Sequence, residues 1–368
     1  MAFENRYSAV DRLLHRLAFA TRKAQIGLAD LEDVLFRDQL ARYELDRPLF
    51  ITALPRAGTT LLLELCVASG TFASQTYRHM PFVLTPLLWK RLSDGFRRFD
   101  TPRERAHGDG MLVSVDSPEA FEETAWIAFW PKHYQGDRIV PWQAAEDDRM
   151  FRDFLHNHFK KIVAISATAG NGMADRLPAP PRYASKNNLN MARIAWLTRH
   201  FRDALCVIPF RDPLQQSASL LRQHLNFLEI HRRDPFARRY MRGIGHFDFG
   251  ANLRPVDFDG WLNRSQHRDP AELGFWLAYW LAAYRSLLAE ASERLRFVDY
   301  DALCLDPRSG LERLAQFIQS DNKHAFPTQA PRIQAPSPHD IDYTSLDKAL
   351  LEEAKALHAH LAALAVVD

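Results

Sequence analysis

One short segment near residue 50 restricts the fold of this chain more than any other part of the sequence. The apolar run 49–54 (LFITAL) has the length of a buried β-strand, and an apolar helix pattern follows and stops at Gly70. Between them lies the loop 55–60 (PRAGTT). A buried strand, a tight loop and a helix in direct succession predict the first unit of an α/β fold.

The same alternation of strands and helices returns later in the chain. Each predicted strand is a short apolar run, and helical periodicity follows it. The predicted strands are 182–185, 204–210 and 295–298, and the predicted helices are 188–200, 214–230, 271–293 and one that begins after Pro307. We therefore predict an α/β fold, with a parallel sheet flanked by helices on both faces.

Two regions lie outside this regular pattern. Residues 1–46 show helical spacing of leucines and predict an N-terminal helical flap, with the α/β domain over 47–368. The stretch 71–180 has weaker periodicity and more Trp, Phe, His, Arg and Pro, which indicates a mostly helical insertion that shapes a substrate site. Residues 324–340 carry four prolines and predict a loop before a last helix at 343–364.

Composition excludes several classes of protein. The 368 residues carry 47 basic and 45 acidic side chains, a net charge of +2, which argues against nucleic-acid binding by a basic tail. Three cysteines without CxxC spacing indicate a reducing compartment, and no secretory signal or membrane-spanning segment is evident. We expect a cytoplasmic protein without stable membrane insertion, and the sequence gives no indication of its oligomeric state.

The loop at 55–60 has the composition of an anion site. Gly58 allows close approach of the backbone, Arg56 adds charge, and Ala57, Thr59 and Thr60 bring N–H groups to the positive end of the helix. The alternative is a helix start capped by threonines with no ligand. A Walker A loop needs a lysine directly before the hydroxyl residue, and Gly58 stands there instead. Neither nucleotide hydrolysis with Mg²⁺ nor a metal site is therefore expected.

The loop resembles the PRSGTT or PKSGTTW loop of sulfotransferases that use 3′-phosphoadenosine 5′-phosphosulfate (PAPS). Two further parts of the sequence match that family. Arg211 ends a predicted strand and Ser219 follows eight residues later, which resembles the pair that holds the 3′-phosphate. Tyr300 lies in a segment similar to the family's YEDL strand end, which implies a place near the adenine. The resemblance implies a P-loop-like fold, PAPS as sulfuryl donor and binding of its 5′-phosphosulfate by the loop.

Lys186 is the third match to the sulfotransferases. Only nine of the 47 basic residues are lysines, and Lys186 is the only one between positions 162 and 322. In cytosolic sulfotransferases a lysine about two dozen residues before the arginine reaches the bridging oxygen of the leaving group. The long stretch between Arg56 and Lys186 resembles the bacterial branch, whose acceptor insertion is large.

The sequence departs from the cytosolic sulfotransferases at the general base. The family's histidine two residues after the lysine is here Asn188, which cannot act as a base, and the late glycine-rich PAPS motif is missing. Three residues of the insertion are candidates for the base. Glu123 is placed first because it is a carboxylate near tryptophans, His107 second because flanking glycines bring it near Asp109, and His79 third because it lies near the loop.

The leading prediction is a sulfotransferase that moves a sulfuryl group from PAPS to a hydroxyl or amine of a small-molecule or glycan-like acceptor. The insertion's aromatic residues favour an apolar acceptor, and its arginines favour an acidic one. A protein that binds PAPS or its bisphosphate product without chemistry is the first alternative, and Asn188 is its best support. A P-loop nucleotide kinase is the second alternative.

Overall fold

The structure is a computed structural model of the 368-residue chain. It describes residues 9–93, 103–104, 112–113, 117–119, 121–168, 179–344 and 346–366. Within these residues, none of the helices combines the length and the apolar character needed to cross a membrane.

Five parallel strands form the central sheet, and two further strands form a separate antiparallel pair. The strands are β1 (Leu49–Ile51), β2 (Phe72–Ala73), β3 (Arg103–Glu104), β4 (Leu112–Val113), β5 (Arg182–Lys186), β6 (Leu205–Phe210) and β7 (Leu295–Asp299). The sheet has the order β2-β5-β1-β6-β7, and each neighbouring pair is parallel. The predicted parallel sheet is confirmed.

Helices cover the sheet and form most of the remaining structure. The helices are α1 (Ala9–Ala20), α2 (Arg22–Leu35), α3 (Arg37–Leu40), α4 (Thr59–Ala68), α5 (Pro86–Ser93), α6 (Glu123–Phe129), α7 (Arg149–Thr168), α8 (Ile194–His200), α9 (Pro213–Arg233), α10 (Pro235–Gly243), α11 (Trp261–Arg264), α12 (Leu273–Ala289), α13 (Tyr300–Leu305), α14 (Pro307–Phe317) and α15 (Lys348–Val366).

The strands are apolar throughout because both faces of the sheet are covered. Successive residues of a strand point to opposite faces. Leu49 and Ile51 of β1 therefore pack in one core with residues of α4 and α14, whereas Phe50 packs in the other core with residues of α7, α8 and α12. Burial on both faces explains why β1 reads as a continuous apolar run and not as an alternating one.

The strand order brings separate parts of the chain to one edge of the sheet. β1 lies in the middle, with β5 on one side and β6 on the other. Because all these strands are parallel, the residues that follow them meet at the carboxyl edge, where ligands of open α/β sheets bind. The loop 55–60, Lys186 and Arg211 are thus neighbours by topology.

The predicted helix at 188–200 is interrupted in the structure. Asn187 accepts a hydrogen bond from the backbone N–H of Leu189 at 3.0 Å and starts a 3-10 turn at Asn188–Ala192. Arg193 then has φ −146°, which is not helical, and α8 begins only at Ile194. The break leaves the Arg193 guanidinium buried below the strand end, where the sequence periodicity predicted a plain helix.

The described residues of the insertion include the helices α5, α6 and α7, as well as the short strands β2, β3 and β4. It also packs against the N-terminal helices, because Lys161 of α7 is buried beside Glu32 of α2 at 2.9 Å. The division of the chain into 1–46 and 47–368 stays a prediction.

Candidate functional site

The loop after β1 presents the N-terminus of α4 to the carboxyl edge of the sheet. Gly58 has φ +84° and occupies the N-cap position of α4, and Arg56 has φ +71°. Since a glycine stands at the N-cap, no side chain at that position competes with a ligand for the first-turn N–H groups. The left-handed turn therefore favours an anion in front of α4.

The Tyr300 ring lies directly against this loop. A Cβ atom added at Gly58 would lie 2.4 Å from two carbon atoms of the ring, closer than any real contact. Tyr300 is the first residue of α13, directly after β7, and its hydroxyl donates to the carbonyl of Gln334 at 3.4 Å. The residue predicted to lie near the adenine is thus in contact with the loop predicted to bind phosphosulfate.

This close approach gives a first prediction about stability. We expect Gly58→Ala to lower the free energy of unfolding by at least about 1 kcal/mol, because alanine disfavours positive φ and its methyl group would clash with Tyr300. Gly27→Ala in α2 is the matched control, since nothing lies within 4 Å of its added Cβ. Urea unfolding measures both variants, and a Gly58→Ala protein as stable as the wild type would contradict the prediction.

Two arginines and a serine meet beside the loop. Arg211 follows β6, is 5% exposed, and donates from Nη1 to the carbonyl of Arg56 at 3.3 Å. The Nε of Arg56 donates in turn to Oγ of Ser219 on α9 at 3.2 Å. Asp301 accepts from Nε of Arg211 at 3.2 Å. The structure thus brings together the anchors predicted for the 5′ and 3′ ends of the donor, while their roles stay predictions.

Gln216 holds this arrangement and was missed by the sequence analysis. Its amide donates to the carbonyls of Leu54 and Pro55 at 3.2 and 3.0 Å, and Trp280 donates to its side-chain oxygen at 3.0 Å. It is fully buried between α9 and the loop. In the sequence, only the position of Gln216 about one turn into the helix after Arg211 could have indicated this role.

Lys186 is the last residue of β5 and lies in register with Ile51 at the end of β1. The next residues join the two strand ends. Asn187 donates its N–H to the carbonyl of Ile51 at 3.1 Å, and the Asn188 carbonyl accepts from Thr52 at 3.0 Å. The side-chain oxygen of Asn188 accepts from the Thr59 hydroxyl at 3.5 Å. Lys186 is therefore fixed at the same edge as the loop.

Glu123 is buried beneath this strand end, at the start of α6. It is 2% exposed and accepts hydrogen bonds from Asn187 at 2.7 Å, from the Arg193 guanidinium and from the Tyr134 hydroxyl. Burial and the neighbouring Glu123 carboxylate raise the pKa of Tyr134 well above its usual value. Through Asn187, Glu123 supports the residue next to Lys186.

Of the two histidines predicted as candidates for the base, the structure describes His79 but not His107. His79 lies in a 3-10 turn and is 4% exposed, and its Nδ1 accepts from the N–H of Thr76 at 2.9 Å. Burial lowers the pKa of His79 to about 4, so the ring is neutral at pH 7. His107 lies outside the described residues. The catalytic roles of both residues stay predictions.

A second polar group lies near Lys186, and the sequence analysis missed it. Asp248 accepts from the Asn188 amide at 3.3 Å, and His246 Nε2 lies 3.9 Å from the same carboxylate oxygen. Burial and the charge of Lys186 lower the pKa of His246, against the opposite effect of Asp248 and Glu119. The sequence feature that could have indicated this pair is the His-x-Asp pattern after the glycines at 243 and 245.

Three tryptophans of the insertion, Trp126, Trp130 and Trp142, belong to the core. Trp126 and Trp142 pack edge-to-face at 5.4 Å between ring centres, and Trp126 also contacts Trp196 at 5.0 Å. Trp130 is buried as well. These rings stabilise the contact between α6 and α8 and give no support to an aromatic acceptor. Among the residues that the structure describes, no group of His, Cys, Asp and Glu side chains is placed to hold a metal ion.

Comparison with solved structures finds distant similarities. Similar solved structures include sulfotransferase STF9 from Mycobacterium avium, at 16% identity and TM-score 0.44, where the match covers 90% of this chain and 80% of that one. Sulfotransferase STF1 from Mycobacterium tuberculosis H37Rv matches at 15% identity and TM-score 0.44, over 90% and 81% of the two chains. No curated protein matches.

A family model gives the assignment that the distant structures cannot give. The model described as "Sulfotransferase family" matches residues 48–248, more than half of the chain. The matched segment begins at β1 and includes the loop 55–60, Lys186, Arg211 and Ser219, and it ends at Asp248. Tyr300 lies beyond it. By this match, the chain belongs to the sulfotransferase family.

Proposed function

We propose that the chain transfers a sulfuryl group from PAPS to a hydroxyl or amine of an acceptor. The observation that carries the proposal is the contact between Arg56, Arg211 and Ser219 beside the N-terminus of α4. Two guanidinium groups, a hydroxyl and a helix N-terminus fit a ligand with two separate phosphate groups. No metal is needed to bind such a ligand.

Each end of the donor has its own residues in this proposal. Arg56 and the N–H groups of 57–60 bind the 5′-phosphosulfate, with Ala57, Gly58, Thr59 and Thr60 as the loop. Arg211 and Ser219 bind the 3′-phosphate, and Tyr300 lies on the adenine side. A small-molecule or glycan-like acceptor approaches from the side of Lys186.

The transfer makes one bond to sulfur and breaks another. The acceptor oxygen or nitrogen bonds to sulfur while the bond from sulfur to the 5′-phosphate oxygen breaks, and negative charge moves onto that oxygen. Lys186 stabilises this charge together with the N–H groups of the loop, because cations fixed before the reaction need no reorganisation during it. The acceptor proton passes to a general base.

Among the groups that the structure describes near the end of β5, Glu123 and His246 are the two candidates for that base, beside the sequence predictions His107 and His79. Glu123 already accepts from three donors, so its contacts favour a positioning role for the strand end. His246 lies beside Asp248, and burial together with the charge of Lys186 lowers its pKa, which favours the neutral ring that can accept a proton. We assign the proton transfer to His246, while Glu123 as the base stays the prediction from the sequence.

Two measurements test the function. We expect thermal stabilisation by 3′,5′-adenosine bisphosphate and transfer of labelled sulfate from PAPS to a member of a panel of alcohols, phenols, amines and sugars. Stabilisation by ATP with Mg²⁺ but not by the bisphosphate would contradict the proposal and favour a kinase. Bisphosphate binding without any turnover of PAPS would favour the non-catalytic alternative.

Arg211→Ala tests the second anchor. We expect the variant to lose about 30-fold or more in affinity for the bisphosphate, since removing one partner of a buried charge pair costs about 2–5 kcal/mol. Its affinity for 5′-AMP, which lacks the 3′-phosphate, should change little. Calorimetry measures both ligands, with Arg332→Ala as control because Arg332 pairs with Glu64 at the surface. An Arg211→Ala protein that still prefers the bisphosphate would show that the anchor is wrong.

A further inference from the structure

A glutamine holds the segment after Ile333 against the start of α9. The Gln215 amide donates to the carbonyl of His339 at 3.1 Å, and the N–H of His339 donates to the Gln215 side-chain oxygen at 2.7 Å. Both contacts involve only main-chain atoms of His339. Any residue except proline could make both contacts at position 339, so holding the segment does not require the imidazole.

The same face of α9 carries the predicted phosphate anchor. Gln215, Ser219 and Arg222 follow one another at spacings of four and three residues, so they lie on one side of the helix. Ser219 is in contact with Arg56, which reaches across from the loop after β1. His339 is thus held beside a surface that already presents a hydroxyl and several guanidinium groups.

We propose that His339 is a further ligand of the donor's 3′-phosphate and takes up a proton when the donor binds. The inference rests on the proposed function, because it requires a 3′-phosphate at Arg211 and Ser219. It also supplies a contact from the late part of the chain, where the glycine-rich motif of cytosolic sulfotransferases is missing.

The charges around His339 explain the direction of the proton movement. Burial and the positive charges of Arg222, Arg211 and Arg56 lower the pKa of His339. Among the carboxylates of this region, Asp301 pairs with Arg211, Asp212 caps the N–H of Gln215, and Asp340 follows His339 at an exposed position. A phosphate dianion placed among these arginines favours the charged imidazolium. The free protein therefore favours the neutral ring, and the complex favours the charged one.

The sign of the pH dependence follows from this pair of states. A group whose pKa is higher in the complex than in the free protein tightens binding as the pH falls through the interval between the two values. Each unit of that difference is worth about tenfold in affinity. The phosphate itself takes up a proton as the pH falls below about 6, which would weaken binding. The effect of the imidazole is therefore best measured between about pH 6.5 and pH 8.

The experiment compares two ligands and three proteins by calorimetry. We expect the wild type to bind the bisphosphate about fivefold or more tightly at about pH 6.5 than at about pH 8, with proton uptake visible in buffers of different ionisation enthalpy. His339→Gln keeps the main-chain contacts with Gln215 and should lose both the uptake and the pH dependence. His360→Gln, at an exposed site on α15, should behave as the wild type.

The second ligand locates the effect within the site. Binding of 5′-AMP should show no uptake that depends on His339, because AMP has no 3′-phosphate. Equal uptake in His339→Gln and the wild type, or equal loss with AMP and the bisphosphate, would overturn the inference and leave the proposed function standing. Failure of the wild type to bind the bisphosphate at any pH would overturn the proposed function itself.

Discussion

We expect Lys186→Met to slow sulfuryl transfer by roughly 100- to 1000-fold, with a much smaller loss of bisphosphate affinity. The lysine ends β5 in register with the end of β1, so its charge lies where the loop presents the donor. Its main effect falls on the rate because negative charge on the departing oxygen grows only during the transfer. Labelled sulfate transfer gives the rate, and calorimetry with the bisphosphate gives the affinity.

Lys323→Met is the matched control, because Lys323 is an exposed lysine in a 3-10 turn near α14. We expect its rate and affinity to equal those of the wild type. If Lys186→Met lost rate and affinity in equal proportion, Lys186 would be an anchor and not a leaving-group residue. An unchanged rate would remove it from the mechanism.

The second large effect concerns Glu123, where we expect replacement by alanine to lower the free energy of unfolding by about 3–5 kcal/mol. The carboxylate forms a buried ion pair with Arg193 and accepts from Asn187 and Tyr134. Removing it leaves the buried guanidinium without its direct ionic partner, and only the more distant charge of Glu122 still acts on it. Urea unfolding of the variant and the wild type measures the difference.

Glu353→Ala is the control for this ion pair. Glu353 pairs with Arg285 at 2.9 Å, but both side chains are more than half exposed, so we expect a change below about 1 kcal/mol. A Glu123→Ala protein of normal stability that binds the bisphosphate and transfers no sulfate would favour Glu123 as the base. The positioning role, and the assignment of the base to His246, would then be wrong.

The sequence predicted the sheet well because its signals are local. A buried strand such as β1 shows as a short apolar run, and the loop after it shows as glycine and threonine between strand and helix. β2 has only Phe72 and Ala73, which is too short for a recognisable pattern. The break at Arg193 was also hidden, because it depends on a carboxylate from another helix.

The residues of the candidate site that lie at strand ends could be predicted from the sequence. The residues that reach the site from distant segments of the chain could not. Lys186 ends a strand, and Arg56 and Arg211 follow strands, so the strand order alone brings them together. His246 and Asp248 reach the site from a turn after α10, and no local pattern relates that turn to β5. The partners of Glu123 lie on three other segments, so its contacts with them required the folded chain.

Because of the strand order, the residues proposed to bind the donor come from parts of the chain that are far apart in sequence. Binding of the ligand therefore requires the whole domain to be folded. The residues assigned to the donor run from Arg56 to His339, and they lie after four different strands or on the segment beyond them. A fragment limited to residues 48–248 would lack β7, Tyr300 and His339. The bisphosphate should therefore protect the whole domain against proteolysis as one unit, since a ligand at about 100 times its Kd adds about 2.7 kcal/mol only to the form that binds it.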